Sequence, residues 1–264
     1  MTATRTLPLA LFSLLLAGCC PAIHISSPGV AAPANDAAIA GASDHPNSVM
    51  LDKEPLKVFW NDGDSFRVNS RAHKGEKTRL VGFNALESHG PVHRWGTWKA
   101  NDLAWMSKRA TKLARSQRWI CHRVRSPDGS AASGGYGRTL VSCPELARTL
   151  VSEGLAHALI FDPGDAPALM EAQLKAQQEL KGMWKHGVPK SIVTSVHSAD
   201  EARHEKDWRP YNRVASTLTG LTRKVEHDNT YAECEEICIE GSCFIYVPWD
   251  RRYGDDRAPC LRYR

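Results

Sequence analysis

The residues best suited to chemistry fall within residues 57–87, KVFWNDGDSFRVNSRAHKGEKTRLVGFNALE. Asp62 and Asp64 flank a glycine, Arg79 follows a polar loop, and Glu87 closes the stretch. Carboxylates gathered with a guanidinium serve a hard cation and a phosphate together, offering oxygen ligands to one and a forked donor to the other. The same residues also suit a polar turn on a solvated strand face, because Asp-Gly-Asp is common turn chemistry. Choosing between these readings depends on the elements that position the four side chains.

Residues 57–60 and 65–68 read as short strands around the turn Asn61-Asp62-Gly63-Asp64, and residues 78–83 as a third strand. Residues 88–96 read as a loop. His89 and His93 lie four apart, but Gly90-Pro91 between them argues against a helix and so against a metal-binding pair. A helix is predicted over 97–116, where Leu103, Met106, Ala110 and Leu113 make one apolar stripe. Strands at 119–124 and 138–142 flank a Gly- and Ser-rich excursion. Pro144 opens a short helix that ends before Gly154, and residues 157–161 are extended and apolar. Asp165 is placed to cap a third helix with Pro167 in its first turn and a stripe of Leu169, Ala172, Ala176, Leu180 and Met183. This order predicts an α+β fold, a small closed barrel with helices packed beside it.

The chain of 264 residues is 42% apolar and 24% charged, which excludes wholesale disorder. Its net charge of +5 is unevenly spread. Residues 51–199 hold 22 Lys and Arg against 14 Asp and Glu, whereas residues 200–264 hold 11 against 13. The basic excess lies with the candidate residues, where an anionic polymer would be attracted.

Arg5 and the apolar run at residues 7–17 read as a leader too short to span a bilayer. Its end, Leu16-Ala17-Gly18-Cys19, resembles the lipobox of bacterial lipoproteins. That resemblance implies cleavage before Cys19, lipidation of its thiol, and a lipid anchor in the bacterial envelope. Ordinary signal cleavage a few residues later is the alternative. Residues 1–19 are thus set apart as leader, 20–50 as a tether too poor in large apolar side chains to fold, and 51–188 as the main domain. Residues 189–230 read as a linker and 231–264 as a cysteine-rich module. In an exported chain Cys121 and Cys143, on or beside the two paired strands, are expected to form a disulfide. Cys234, Cys238, Cys243 and Cys260 allow more than one pairing, with a zinc site as the rival reading. Their segment, with Cys-x3-Cys on an expected helix turn, resembles the core of PAN/apple-type modules.

From Leu56 to Trp184 the chain resembles the thermonuclease (staphylococcal-nuclease-like) family. The resemblance rests on Asp62-Gly63-Asp64-Ser65, the run from Arg79 through Asn84 to Glu87, Tyr136-Gly137-Arg138-Thr139-Leu140, the run from Leu150 to Ala156, and Lys181-Gly182-Met183-Trp184. It implies a five-stranded OB-type barrel with three helices and calcium-dependent cleavage of DNA and RNA. It further implies Asp64 as a direct Ca2+ ligand with Asp62 nearby, Arg79 and Arg138 as phosphate-gripping arginines, Glu87 as the carboxylate that positions or activates water, and Tyr136 as a nucleotide contact. The roles suit the reaction, since a cation and forked guanidiniums stabilise charge developing on phosphate oxygens.

The chain departs from the family pattern at Asn84, where Asp is usual, and at Leu86, where Pro is usual. Asn84 offers a carbonyl oxygen to a cation but no charge, so weaker metal binding is expected. Gly134 and Gly135 precede Tyr136 without the usual charged residues, and Ile160, Phe161 and Asp162 stand where some members carry aromatic contacts. Two alternatives follow: a nuclease-fold module that holds nucleic acid or another polyanion without cutting it, and an envelope interaction protein that binds through its tail. No obligate protein partner is evident.

Overall fold

Alternation of apolar and polar side chains builds the first half of the structure, a computed structural model that describes residues 47–90, 92–162, 167–201 and 208–262. Strands β1 (Ser48–Leu51), β2 (Glu54–Asp62) and β3 (Ser65–Val68) pair antiparallel in sequence. On β2, Leu56, Val58 and Trp60 are buried while Lys57 and Phe59 face outward, the period of a half-buried strand. The single strand expected over 78–83 is two, β4 (Thr78–Leu80) and β5 (Gly82–Ala85). Val81 lies between them, and Gly82 opens β5 at φ +89, a left-handed conformation that an L side chain rarely adopts.

There follow β6 (His93–Trp95), α1 (Ala100–Ala114), β7 (Trp119–Arg123), β8 (Ser133–Gly134), β9 (Arg138–Ser142), α2 (Pro144–Ser152), β10 (Ala156–Leu159) and α3 (Pro167–Gln178). The seven-stranded sheet runs β3-β2-β1-β7-β9-β4, with β8 beside β9. It curls into part of a barrel, so that its end strands meet at an Arg67–Lys77 bridge and the Leu80 amide donates to the Asp64 carbonyl at 2.9 Å. β5 leaves this path and pairs with β10. Trp60, Phe66, Leu80, Phe83, Val141 and Leu150 fill the core between the curled sheet and the helices. Leu103, Ala110 and Leu113 are buried on α1, with Met106 partly so. On the third helix, Leu169 and Ala176 are buried, but Leu180 lies beyond the helix, exposed and at φ +51.

Several sequence expectations change here. Ser48–Leu51, whose first three residues lie in the stretch read as a tether, is a sheet strand because Val49 and Leu51 are apolar enough to be fully buried. The linker expected at 189–230 contains a three-stranded antiparallel sheet, β11 (Ser191–Ser195), β12 (Tyr211–Ser216) and β13 (Thr222–Glu226), whose Ile192, Val193 and Val214 are buried. The cysteine-rich tail forms a hairpin, β14 (Glu236–Ile239) and β15 (Ser242–Ile245), in place of a helix turn. This hairpin recruits β6 as its third strand, so His93 is a buried strand residue and not a loop histidine. Arg94 on β6 makes a bidentate pair with Glu236 on β14. The described residues of main domain, linker and tail thus share one compact unit.

Disulfides join Cys121 to Cys143, Cys234 to Cys260 and Cys238 to Cys243. No helix among the described residues is long and apolar enough to cross a membrane. The leader with Cys19, residues 20–46 of the tether and Asp165 lie outside the described residues.

Candidate active site

The Asp62–Ser65 pairing of β2 and β3 follows a register shift after Trp60 and leaves Gly63 and Asp64 at the turn. Gly63 is required by packing, since a Cβ there would sit 2.8 Å from the Ala110 Cβ of α1 and 3.0 Å from that of Ala85. The turn is therefore pressed against helix and sheet, and Asp64 is only 2% exposed. Its backbone carbonyl is tied to β4 and its side chain to β4 and β5. Oδ1 accepts from Arg79 Nη1 at 2.8 Å and Oδ2 from the Ala85 amide at 2.8 Å. Asp62 turns back on the same bend, with Oδ1 accepting from the Asp64 amide at 3.2 Å and from Ser65 Oγ at 2.7 Å.

Arg79, on β4, spans Asp64 and Asn84, with Nη2 donating to Asn84 Oδ1. A guanidinium has five N–H donors, so two contacts leave capacity for an anion. Asn84 is held from its other side as well. Its Nδ2 donates to the Ala85 carbonyl at 2.9 Å and faces His157 Nε2 at 3.4 Å across the β5–β10 pair, in which the two residues are in register. His157 Nδ1 lies 2.9 Å from the Ala158 carbonyl. Donation there makes Nε2 the acceptor for Asn84. Burial, with Arg79 adding to it, brings the His157 pKa down to about 4, so the ring is neutral at ordinary pH.

Burial pushes the Asp64 carboxyl well above the usual carboxylate range; Arg79 opposes this, and the charges of Asp62 and then Glu87 reinforce it. Burial pulls Arg138 down, and Arg79 adds to that while Asp64 and Asp62 act the other way. Two arginines and three carboxylates therefore share one electrostatic neighbourhood at the rim of the curled sheet. Arg138 is half-buried, with Nε donating to the Gly135 carbonyl at 3.0 Å and the guanidinium 5.8 Å from the Tyr136 ring. Tyr136 is exposed on a Gly-Tyr-Gly turn at φ +63.

The oxygen donors Asp64, Asn84 and Asp62 match the chemistry of a hard cation such as calcium, and a positive ion would offset the burial and neighbouring carboxylate charge that together raise Asp64. Among the described residues, Asp62, Asp64 and Glu87 do not bring ligand atoms into one tight three-carboxylate group. Among the described residues, the one close trio of carboxylate, thiol or imidazole ligand atoms is Glu236, Cys238 and Cys243, where the two cysteines are bonded to each other and offer no thiolate to zinc.

No protein-family model matches the chain, and neither does any curated protein.

His157 is the site residue that sequence reasoning placed only as the start of an extended segment. Its partner Asn84 is 73 positions away, and strand register alone brings them together. No local spacing carries that signal.

Proposed function

We propose that the protein is a calcium-dependent phosphodiesterase acting on DNA and RNA, built on a thermonuclease-like OB-type barrel of which the curled sheet is the core. The observation that carries this reading is the buried Asp64 paired to Arg79 beside Arg138, with Glu87 close enough for its charge to act on Asp64. In it, Asp64 and the carbonyl oxygen of Asn84 would hold the cation, with Asp62 beside them. A bound calcium ion would supply positive charge to phosphate oxygens. Arg79 and Arg138 direct their remaining N–H groups at the phosphate and favour the extra negative charge of its transition state. Glu87 accepts a hydrogen bond from the attacking water and orients it at phosphorus. Tyr136, exposed beside Arg138, offers a ring to a neighbouring nucleotide.

Export supports three disulfides in one chain, and Cys19 supplies a lipid anchor in this reading. Replacing Cys19 with Ala is expected to move the protein from the membrane to the soluble fraction; unchanged processing and fractionation would remove the anchor.

A second reading, a polyanion-binding module without cleavage, is favoured by Asn84, whose oxygen is engaged by Arg79 and whose amide is fixed by Ala85 and His157. Digestion of plasmid and single-stranded DNA with calcium or chelator separates the two. Calcium-dependent cleavage is expected. Salt-dependent binding without cutting at any calcium level would establish the module instead.

A further inference from the structure

The C-terminal tail reaches the candidate site. Val247, Ala258 and Leu261 pack on Val92 in a small apolar cluster, and the Ile245 amide donates to the Val92 carbonyl at 2.9 Å. The Cys234–Cys260 disulfide closes the segment. The turn at 249–253 is thereby held against the loop that follows Glu87. A Cβ on Gly90 would stand 3.1 Å from Arg252 Cδ, and the His89 and Tyr253 rings are 6.5 Å apart. Partial burial raises the Tyr253 phenol, and the charges of Glu87 and then Asp62 add to it, so the ring lies within the field of the candidate carboxylates.

The side chains of this turn are presented outward. Trp249 is 71% exposed and Tyr253 53%, their rings meeting edge to face at 5.7 Å. Arg252 is fixed by Nε donating to the Val247 carbonyl at 2.9 Å and lies 5.4 Å from the Trp249 ring. Two exposed rings with a cation among them, anchored by a disulfide and set beside a phosphate site, match what unpaired bases require. Any base can stack on an aromatic face, and arginine serves both the base and the backbone. Arg67, whose charge also acts on Tyr253, adds a second cation for the strand.

We propose that Trp249, Arg252 and Tyr253 form a base-stacking platform for single-stranded nucleic acid, receiving nucleotides next to the phosphate gripped by Arg79 and Arg138. The inference rests on the nuclease reading above and names its preferred substrate form, a strand with unpaired bases. It also gives the tail a purpose in place of a separate partner.

The test uses the full chain with disulfides intact and compares wild type, Trp249→Phe and the double variant Trp249→Ala with Tyr253→Ala. Anisotropy of fluorescein-labelled oligothymidylate in chelator reports binding. Steady-state kinetics on oligothymidylate and on a single-nucleotide aryl phosphodiester report the split between KM and kcat. The double variant is expected to bind the oligonucleotide about 10- to 100-fold more weakly, the loss typical of removing stacked rings, and to raise its KM accordingly. The loss on the single-nucleotide diester is expected to be much smaller, and Trp249→Phe, which keeps a ring, is expected to stay near wild type. Unchanged oligonucleotide affinity in the double variant, or equal losses on both substrates, overturns the platform. If wild type binds oligothymidylate but never cuts, the nuclease reading falls, and the binding arm alone decides the platform. If wild type neither binds nor cuts, both fall.

Discussion

The curled sheet carries two arginine–carboxylate clusters with opposite electrostatic character. Arg123 on β7 grips Glu76 through Nε at 3.1 Å and Nη2 at 2.8 Å, and Asp52 through Nη1 at 2.9 Å and its own amide at 3.1 Å. Its hydrogen bonds hold Glu76 below the usual range, and against the upward push of burial they hold Asp52 down as well. There each carboxylate is matched by donors and the charged form is favoured. At the second cluster one guanidinium faces a fully buried Asp64 with Asp62 and Glu87 nearby, and the carboxyl is pushed up. The same residue types thus serve cohesion at one place and leave unbalanced negative charge at the other. Groups whose ionised form is disfavoured by burial and neighbouring like charges cluster at functional sites.

The contrast is broken most forcefully at Asp64. Asp64→Asn is expected to reduce calcium-dependent cleavage about 100- to 1,000-fold, the usual cost of removing a charge-stabilising group. Both Asp64 oxygens accept from N–H donors and Asn keeps only one acceptor, so stability in urea unfolding is expected to fall as well, by about 1–3 kcal/mol. A variant that loses stability but cuts normally would place Asp64 with the structural cluster.

Next in size is the covalent brace beside the sheet. Converting Cys121 and Cys143 to Ala together opens a loop with a sequence separation of 22. The expected loss is about 3 kcal/mol in urea unfolding, and non-reducing peptide mapping of wild type should recover the two half-cystines in one crosslinked peptide.

Arg123→Gln sharpens the structural side. It is expected to cost about 1.5–3 kcal/mol of stability, as for hydrogen bonds to charged groups, with cleavage unchanged. Folded-state pKa values of Asp52 and Glu76 are depressed, so their contribution is present above the unfolded carboxylate values and is lost as pH falls through the folded ones. Wild type and variant should therefore differ fully near neutrality and converge below about pH 4. A gap in stability that persists in acid would assign the arginine a role other than pairing.

The smallest effect is expected at Asn84. Asn84→Asp adds one unit of ligand charge and should lower the half-saturating calcium concentration severalfold. The new carboxylate would face the Ala85 carbonyl and His157 in place of the amide donor, which limits the gain. Calcium titration of cleavage by both forms checks it. Activity that appears only in the variant would mean that wild type has a retired site.

Local pattern made much of the scaffold legible. The alternation of Leu56, Val58 and Trp60 marked β2, and the stripe through Leu103, Ala110 and Leu113 marked α1, because periodic burial is written into adjacent positions. Partnership between distant segments was not legible. Residues 191–195 and 211–226 look polar and aperiodic, yet they form a sheet because Ile192, Val193 and Val214 find a buried face there. His93 reads as a loop histidine in the sequence, yet it is a strand residue buried where β15 pairs with β6.

The sequence by itself determined which chemistry is present: side-chain oxygens at Asp62, Asp64 and Asn84, guanidiniums at Arg79 and Arg138, and cysteines suited to an oxidising compartment. Side-chain identity is a covalent property and needs no fold. Only the tertiary structure decided how those groups act on one another. Curling of the sheet buries Asp64 against Arg79, the β5–β10 register sets Asn84 on His157, and packing on Val92 brings the tail beside Glu87. Desolvation and charge coupling depend on distance and burial, and the chain acquires both only when segments far apart in sequence pack together.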